Sequence, residues 1–156
     1  MRRAVVVALV VAGAVVAAGF LASQSTDVPK GASSSRTMVT HVVDGDTVVI
    51  ASGEHVRLIG VDTPERGRCG FGAATEAMRR MVEDRRVLLV NPASVQDRDQ
   101  YDRLLRFVEV DGRDAGYAQI QSGLAQARFD SRDGLDPHPR EDRYHDADRR
   151  HRGPCE

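Results

Sequence analysis

The stretch Val42-Val43-Asp44-Gly45-Asp46-Thr47-Val48-Val49-Ile50-Ala51-Ser52-Gly53-Glu54-His55-Val56-Arg57-Leu58 decides the fold class. β-Branched residues run on both sides of Asp44-Gly45, a pair that favours the tight turn of a hairpin. Ala51-Ser52-Gly53-Glu54 is a second turn, and a further strand is expected from His55 to Val61. With Thr37 to Val43 in front, three strands meander before any helix can form. That order excludes a parallel βαβ architecture, which needs a crossover between strands.

Working outward, Gly72 to Asp84 reads as a helix, with Ala74, Ala77, Met78 and Met81 on one face and arginines on the other. Arg86 to Val90 and Leu104 to Val110 read as a fourth and fifth strand, stopped by Asn91-Pro92 and Asp111-Gly112. Asp114 is placed to cap a short helix that ends near Ser122 with Gly123. Asp130 to Pro139 is a polar loop, and Arg140 to His151 a charged helical tail. Five short strands with about three interspersed helices predict an α+β protein, an OB-fold five-stranded Greek-key barrel.

Residues 1–22 differ from everything that follows. Arg2 and Arg3 precede an unbroken apolar run from Ala4 to Ala22 with no polar face, which excludes an amphipathic core helix. The run reads as a signal peptide or an N-terminal membrane anchor. Residues 23–36, rich in Ser, Gly and Thr, read as a flexible linker. The domain is expected over residues 37–152, with 153–156 as a short tail. Either reading of the leader places it outside the cytoplasm, secreted or tethered to a membrane. There, an even pair of cysteines, Cys69 and Cys155, is expected to be bridged. The bridge would pin the C-terminal tail beside the loop that follows Glu65.

The chain carries 22 basic and 23 acidic residues. That balance excludes strong non-specific binding of nucleic acid through a broad basic surface, but not a local basic cleft. Lys30 is the sole lysine. The other basic residues are arginines, the better bidentate ligands for phosphate.

Three clusters carry candidate chemistry: Asp44-Gly45-Asp46-Thr47, then Asp62-Thr63-Pro64-Glu65, then Asp99-Gln100-Tyr101-Asp102-Arg103. Taken singly they are a polar turn, a helix start and a solvated charge run. Together they suggest one site. Asp46 and Asp62 leave adjacent strand ends and supply hard oxygen donors, which suit Ca²⁺ rather than Zn²⁺. Burying Arg57 unpaired would cost several kcal/mol, so it either pairs internally or awaits an anionic ligand. Arg57 and Arg103 with a metal ion match the needs of a phosphodiester as charge builds on its oxygens. Glu65 is left to orient or deprotonate a water.

The chain resembles the thermonuclease, or staphylococcal nuclease-like, family. The resemblance rests on Val42 to Val48, on Arg57 to Glu65, and on Tyr101 with Arg103-Leu104-Leu105, and Gly123-Leu124-Ala125 extends it. It implies an OB-fold nuclease that hydrolyses DNA and RNA with Ca²⁺; single-stranded or denatured substrates and, by default, a monomer are the accompanying expectations. By the same resemblance Asp46 and Asp62 are calcium ligands, Thr63 adds its backbone carbonyl, and Glu65 is the general base. Arg57 and Arg103 bind and polarise the phosphate, and Tyr101 contacts its terminal end. Three positions depart from the family pattern: Asp102 stands where glycine is usual, Gln100 replaces a lysine, and Phe129 occupies the place of a tyrosine. The chain also has no tryptophan. The alternative is an OB-fold module that binds single strands without turnover. The retained carboxylates and the scarcity of aromatic residues weigh against it.

Overall fold

The computed structural model describes residues 31–151, 153 and 155. The apolar segment 1–22 and most of the expected linker lie outside the described residues. Among the described residues, no helix is long and apolar enough to cross a membrane.

Strands β1 (Ser33–Val42), β2 (Thr47–Ile50) and β3 (His55–Leu58) form the expected meander. β4 (Val61–Asp62) leads to helix α1 (Phe71–Val82). β5 (Arg86–Asn91), β6 (Leu104–Val110) and β7 (Arg113–Asp114) follow, then helix α2 (Ala115–Gln121). β8 (Gln126–Ala127), a 3₁₀ turn (Ser131–Asp133) and helix α3 (Glu141–Asp148) complete the chain. β1 pairs with both β2 and β5, β5 with β6, and β3 runs parallel to β6. That last pairing closes β1, β2, β3, β6 and β5 into a five-stranded barrel, so the expected OB-fold with three helices is present.

β1 is shared between the two halves of the barrel. Ser33 to Met38 pair with β5, and Val39 to Val42 pair with β2, with a register shift between Val39 and His41. A bulge of this kind bends a strand and increases its twist, which is what a barrel corner requires. The strand therefore enters earlier than the expected domain start. Ser33 to Arg36 are polar and exposed; their order comes from backbone pairing with β5, which leaves no hydrophobic periodicity to read.

The expected third strand stops short of Val61. Gly60 adopts φ 73°, and a Cβ there would collide with the ring of His138. The chain turns at this glycine and re-enters as β4, whose partner is β8 rather than a barrel strand.

The core is built from Val39, Val42, Val48, Val56, Leu58, Val61, Met78, Leu89, Phe107, Val108, Ile120 and Tyr144, all nearly inaccessible to solvent. α1 ends two residues before the expected Asp84 because Glu83 is already extended and Asp84 takes φ 56°. Asp114 caps α2 by accepting from the Tyr117 amide at 3.0 Å. The same carboxylate accepts from the Tyr144 hydroxyl at 2.8 and 2.9 Å and from Arg140 at 2.8 Å. This explains how α3, with few apolar residues, docks: Tyr144 and Ala147 are buried, and charge-assisted hydrogen bonds to Asp114 do the rest. Cys69 and Cys155 form the expected disulfide, Cα to Cα 5.9 Å. Closing a loop of that sequence separation is worth about 4–5 kcal/mol in the chain-entropy model.

Candidate active site

Asp46 leaves the β1–β2 turn and is buried. One of its oxygens accepts from both the amide and the hydroxyl of Thr63, each at 2.8 Å. The other accepts from the Thr47 hydroxyl at 3.2 Å and faces Arg57 Nε at 3.3 Å. The glycine in this turn serves close packing rather than a left-handed turn. A Cβ at Gly45 would lie 2.7 Å from Thr63 Cγ2 and 2.8 Å from Ala74 Cβ. From below, the Gln119 amide donates to the carbonyls of Gly45 and Ala74 at 2.9 and 2.8 Å. Gln119 is a support the sequence reading missed. Its signal was weak: one amide on a helix of unexceptional pattern.

Arg57 reaches this carboxylate because the β2–β3 register sets it directly opposite Thr47. Its Nη1 donates to the Leu58 carbonyl at 2.9 Å, and Nη2 lies 3.7 Å from Asp62. The ring of Phe129 lies 5.3 Å from the guanidinium carbon. Of the two possibilities left open for this arginine, internal pairing is therefore realised. The guanidinium bridges the two aspartates that the sequence assigned to a metal.

One cation does not neutralise this cluster. Burial, reinforced by the Asp46 charge, pushes the Asp44 carboxyl above its ordinary range. Burial also raises the Asp62 carboxyl, helped by the charges of Asp46 and Glu65 and opposed by Arg57. Glu65 is exposed, and among the described residues its carboxylate has no hydrogen-bond or ion-pair partner. It lines a groove of about 320 Å³ with Asp62, Thr63, Arg68 and the tail residues His151 and Cys155.

Arg57 opens instead into a neighbouring cleft of about 440 Å³, walled by Leu58 to Gly60, Tyr101, Phe129, Leu135 and His138. Tyr101 is 70% exposed. Arg103 borders a third hollow, with Tyr101 shared between the two. It is held by Asp99, which accepts from Arg103 Nε and pairs with Nη2, both at 2.7 Å. Burial alone would raise the Asp99 carboxyl, but Arg103 and the amides of Arg103 and Tyr101 outweigh it and hold it below the usual range. Asp46, Asp62, Thr63 and Arg57 are thus brought together. Glu65 sits on one side of them and Tyr101 on the other, while Arg103 is clamped apart.

The departure at position 102 has a local explanation, and nothing in the structure explains the phenylalanine at position 129. Asp102 takes φ 64°, a left-handed conformation that glycine adopts freely and aspartate tolerates. Its side chain is 88% exposed, 3.6 Å from Arg98. Phe129 also lies in the left-handed region, at φ 60°. His138, set between two prolines, went unnoticed in the sequence. It is buried against Phe107 and Tyr144. Its Nδ1 accepts from the Arg140 amide at 3.2 Å, and its Nε2 has no partner among the described residues.

A family model described as staphylococcal nuclease homologue matches residues 55–152. That span contains Arg57, Asp62, Thr63, Glu65, Tyr101 and Arg103 and begins after Asp46. The chain is 34% identical over 101 aligned positions to a thermonuclease of Staphylococcus intermedius, covering 59% of each protein. It is 30% identical over 100 positions to a thermonuclease of Staphylococcus hyicus, covering 58% of each. It is 35% identical over 100 positions to the endonuclease YncB of Bacillus subtilis, covering 56% of this chain and 45% of that one. The chain thus spans about half to three-fifths of the length of the curated relatives it matches.

Proposed function

The chain belongs to the staphylococcal nuclease homologue family, and on that premise we propose that it is a calcium-dependent nuclease hydrolysing the phosphodiester bonds of DNA and RNA. The observation that carries this reading is the position of Glu65, whose carboxylate has no partner among the described residues, beside the Asp46–Arg57–Asp62 cluster.

A hard divalent cation suits this cluster. Its donors are carboxylate oxygens, and Asp46 and Asp62 share one arginine between them. Among the described residues no three His, Cys, Asp or Glu side chains gather around one point. Asp46, Asp62 and the Thr63 carbonyl would therefore hold Ca²⁺ with solvent or phosphate oxygens filling the remaining positions. The bound ion would offset charge on the phosphate oxygens.

The chain's own residues do the rest. Glu65 takes a proton from a water, whose oxygen forms a new bond to phosphorus as the bond to the leaving alkoxide breaks. Arg57 keeps Nε on Asp46. A substrate phosphate competes for Nη2, whose 3.7 Å contact with Asp62 is the looser of the two. Arg103 exchanges Asp99 for the phosphate and stabilises the developing charge. Tyr101 and Phe129, both exposed on the Arg57 cleft, offer faces on which unpaired bases stack, which supports a preference for single-stranded or denatured substrate. The apolar leader and the Cys69–Cys155 bridge support action outside the cytoplasm, as a secreted or membrane-tethered monomer.

The decisive assay measures hydrolysis of denatured DNA with added Ca²⁺ and with EDTA, alongside Glu65→Ala and Arg103→Ala. Activity is expected only with Ca²⁺ and only in the parent. Activity that ignores chelation or survives both substitutions sinks the mechanism. Binding of single strands without turnover would favour the non-catalytic module instead.

A further inference from the structure

The loop that carries Glu65 is anchored at its two ends, and between them the Arg66 guanidinium lies over the Phe71 ring at 5.5 Å. At the first end, Thr63 is fixed to Asp46 by two hydrogen bonds. At the other, Cys69 is bonded to Cys155. Residues 65–69 are exposed, and the loop's internal order comes from single backbone bonds, Arg68 N–H to Glu65 at 2.9 Å and Phe71 N–H to Arg68 at 3.3 Å. Gly67, at φ 85° with open space around it, and Gly70, at φ 90°, supply turns.

The disulfide is packed against the loop it closes. A Cβ at Gly70 would meet Pro64 Cγ at 3.1 Å and Cys155 Sγ at 3.5 Å. Gly70 therefore sits close to both Pro64, next to Glu65, and the sulfur bridge. On the far side the tail is seated on the body of the protein. Gly153 lies so close to the Gly123 carbonyl that a Cβ would collide with it, and the His151 ring contacts the Ala147 carbonyl at 2.9 Å. The groove that receives Glu65 has the loop as one wall and this tail as the other.

We propose that the Cys69–Cys155 bond is a positioning element of the reaction: it holds Glu65 in register with the phosphate site, beyond its contribution to stability. The inference rests on the assignment of Glu65 as the base. The bond lies outside the Arg57 cleft, and the Asp46–Thr63 hydrogen bonds hold the other end of the loop independently of it. Its loss is expected to lower kcat and to leave substrate affinity and Ca²⁺ affinity unchanged. Misplacement of a reacting group by about 1 Å costs on the order of 100-fold, so a fall in kcat of about 10- to 100-fold is expected.

The experiment compares three states of the full chain: oxidised, reduced with a small dithiol, and Cys69→Ser/Cys155→Ser. Reduction passes two electrons and two protons from the dithiol, which becomes a disulfide, to the protein, which gains two thiols. Kinetic constants on denatured DNA and calcium affinity are measured below the melting temperature of each state, and folding is checked by circular dichroism. The proposal expects both bridge-free states to lose kcat at constant KM and constant calcium affinity, and re-oxidation of the reduced protein to restore kcat. Unchanged kcat in a folded protein with free thiols overturns it. So does a loss that KM and calcium affinity share, which marks general destabilisation. If the double variant does not fold, the reduced parent carries the comparison. An oxidised protein that hydrolyses nothing refutes the nuclease reading itself, a result distinct from equal activity with and without the bond.

Discussion

Thr63 donates both its amide N–H and its hydroxyl to a single oxygen of Asp46, each at 2.8 Å, across 17 residues of sequence. This double bond joins the β1–β2 turn to the end of β4 and orients a buried carboxylate. Hydrogen bonds to charged groups contribute about 1.5–3 kcal/mol each. Thr63→Val keeps the shape and removes the hydroxyl. It is expected to destabilise the protein by about 1–2 kcal/mol in urea denaturation and to weaken calcium-dependent activity, because Asp46 loses its orientation.

Asp62 carries the opposite balance. Burial holds its carboxyl above the ordinary value of 3.8. The folded state therefore binds a proton more readily than the unfolded state does. The charged form costs stability at neutral pH, and that cost is relieved as pH falls through the raised folded value. Asp62→Asn is expected to raise stability at pH 7 by no more than about 1 kcal/mol, since the group is partly solvated. Turnover should fall at least about tenfold. Calcium should then give a smaller melting-temperature increase in the variant than in the parent. A variant that is both less stable and fully active contradicts the assignment.

Asp99 holds the guanidinium that the proposed mechanism assigns to the substrate phosphate. Asp99→Asn keeps an oxygen for the Tyr101 and Arg103 amides but removes the charge facing the guanidinium. Partly exposed ion pairs contribute up to about 1 kcal/mol, so tighter binding of single-stranded DNA by up to about fivefold is expected. Fluorescence anisotropy in calcium-free buffer would measure it without turnover.

His138 makes stability fall on mild acidification. Burial depresses its pKa below the ordinary 6.5, against the opposing pull of Asp130, Glu141 and Asp114, while the nearby His145 adds to the depression. In the unfolded chain the ring takes a proton near 6.5; in the folded protein it resists. The stability present in full above pH 6.5 is thus lost progressively as pH drops towards the folded value. Urea midpoints compared at pH 7.5 and 5.5 should show a decline that is smaller in His138→Gln. An identical decline in both proteins would remove this histidine as the cause.

The order of elements was open to a reader of the chain alone because it rests on local signals. Alternating β-branched runs, the Asp44-Gly45 and Asp111-Gly112 turns, the apolar face of α1 and the Asp114 cap act within a few residues of themselves. The candidate carboxylates and arginines were legible for the same reason: they stand in short motifs at strand ends. Local signals failed where order is imposed from a distance. Ser33 to Arg36 belong to β1 only because β5 lies beside them. β3 ends at Leu58 and the chain turns at Gly60, where the His138 ring fills the space a side chain would need. What each candidate residue is free to do was also settled by folding. The β2–β3 register commits Arg57 to Asp46, a short loop commits Arg103 to Asp99, and Glu65 is left without a partner among the described residues. A carboxylate or a guanidinium announces its charge in one dimension, but its partner is whichever opposite charge the barrel brings within about 4 Å, and that distance exists only in the folded molecule.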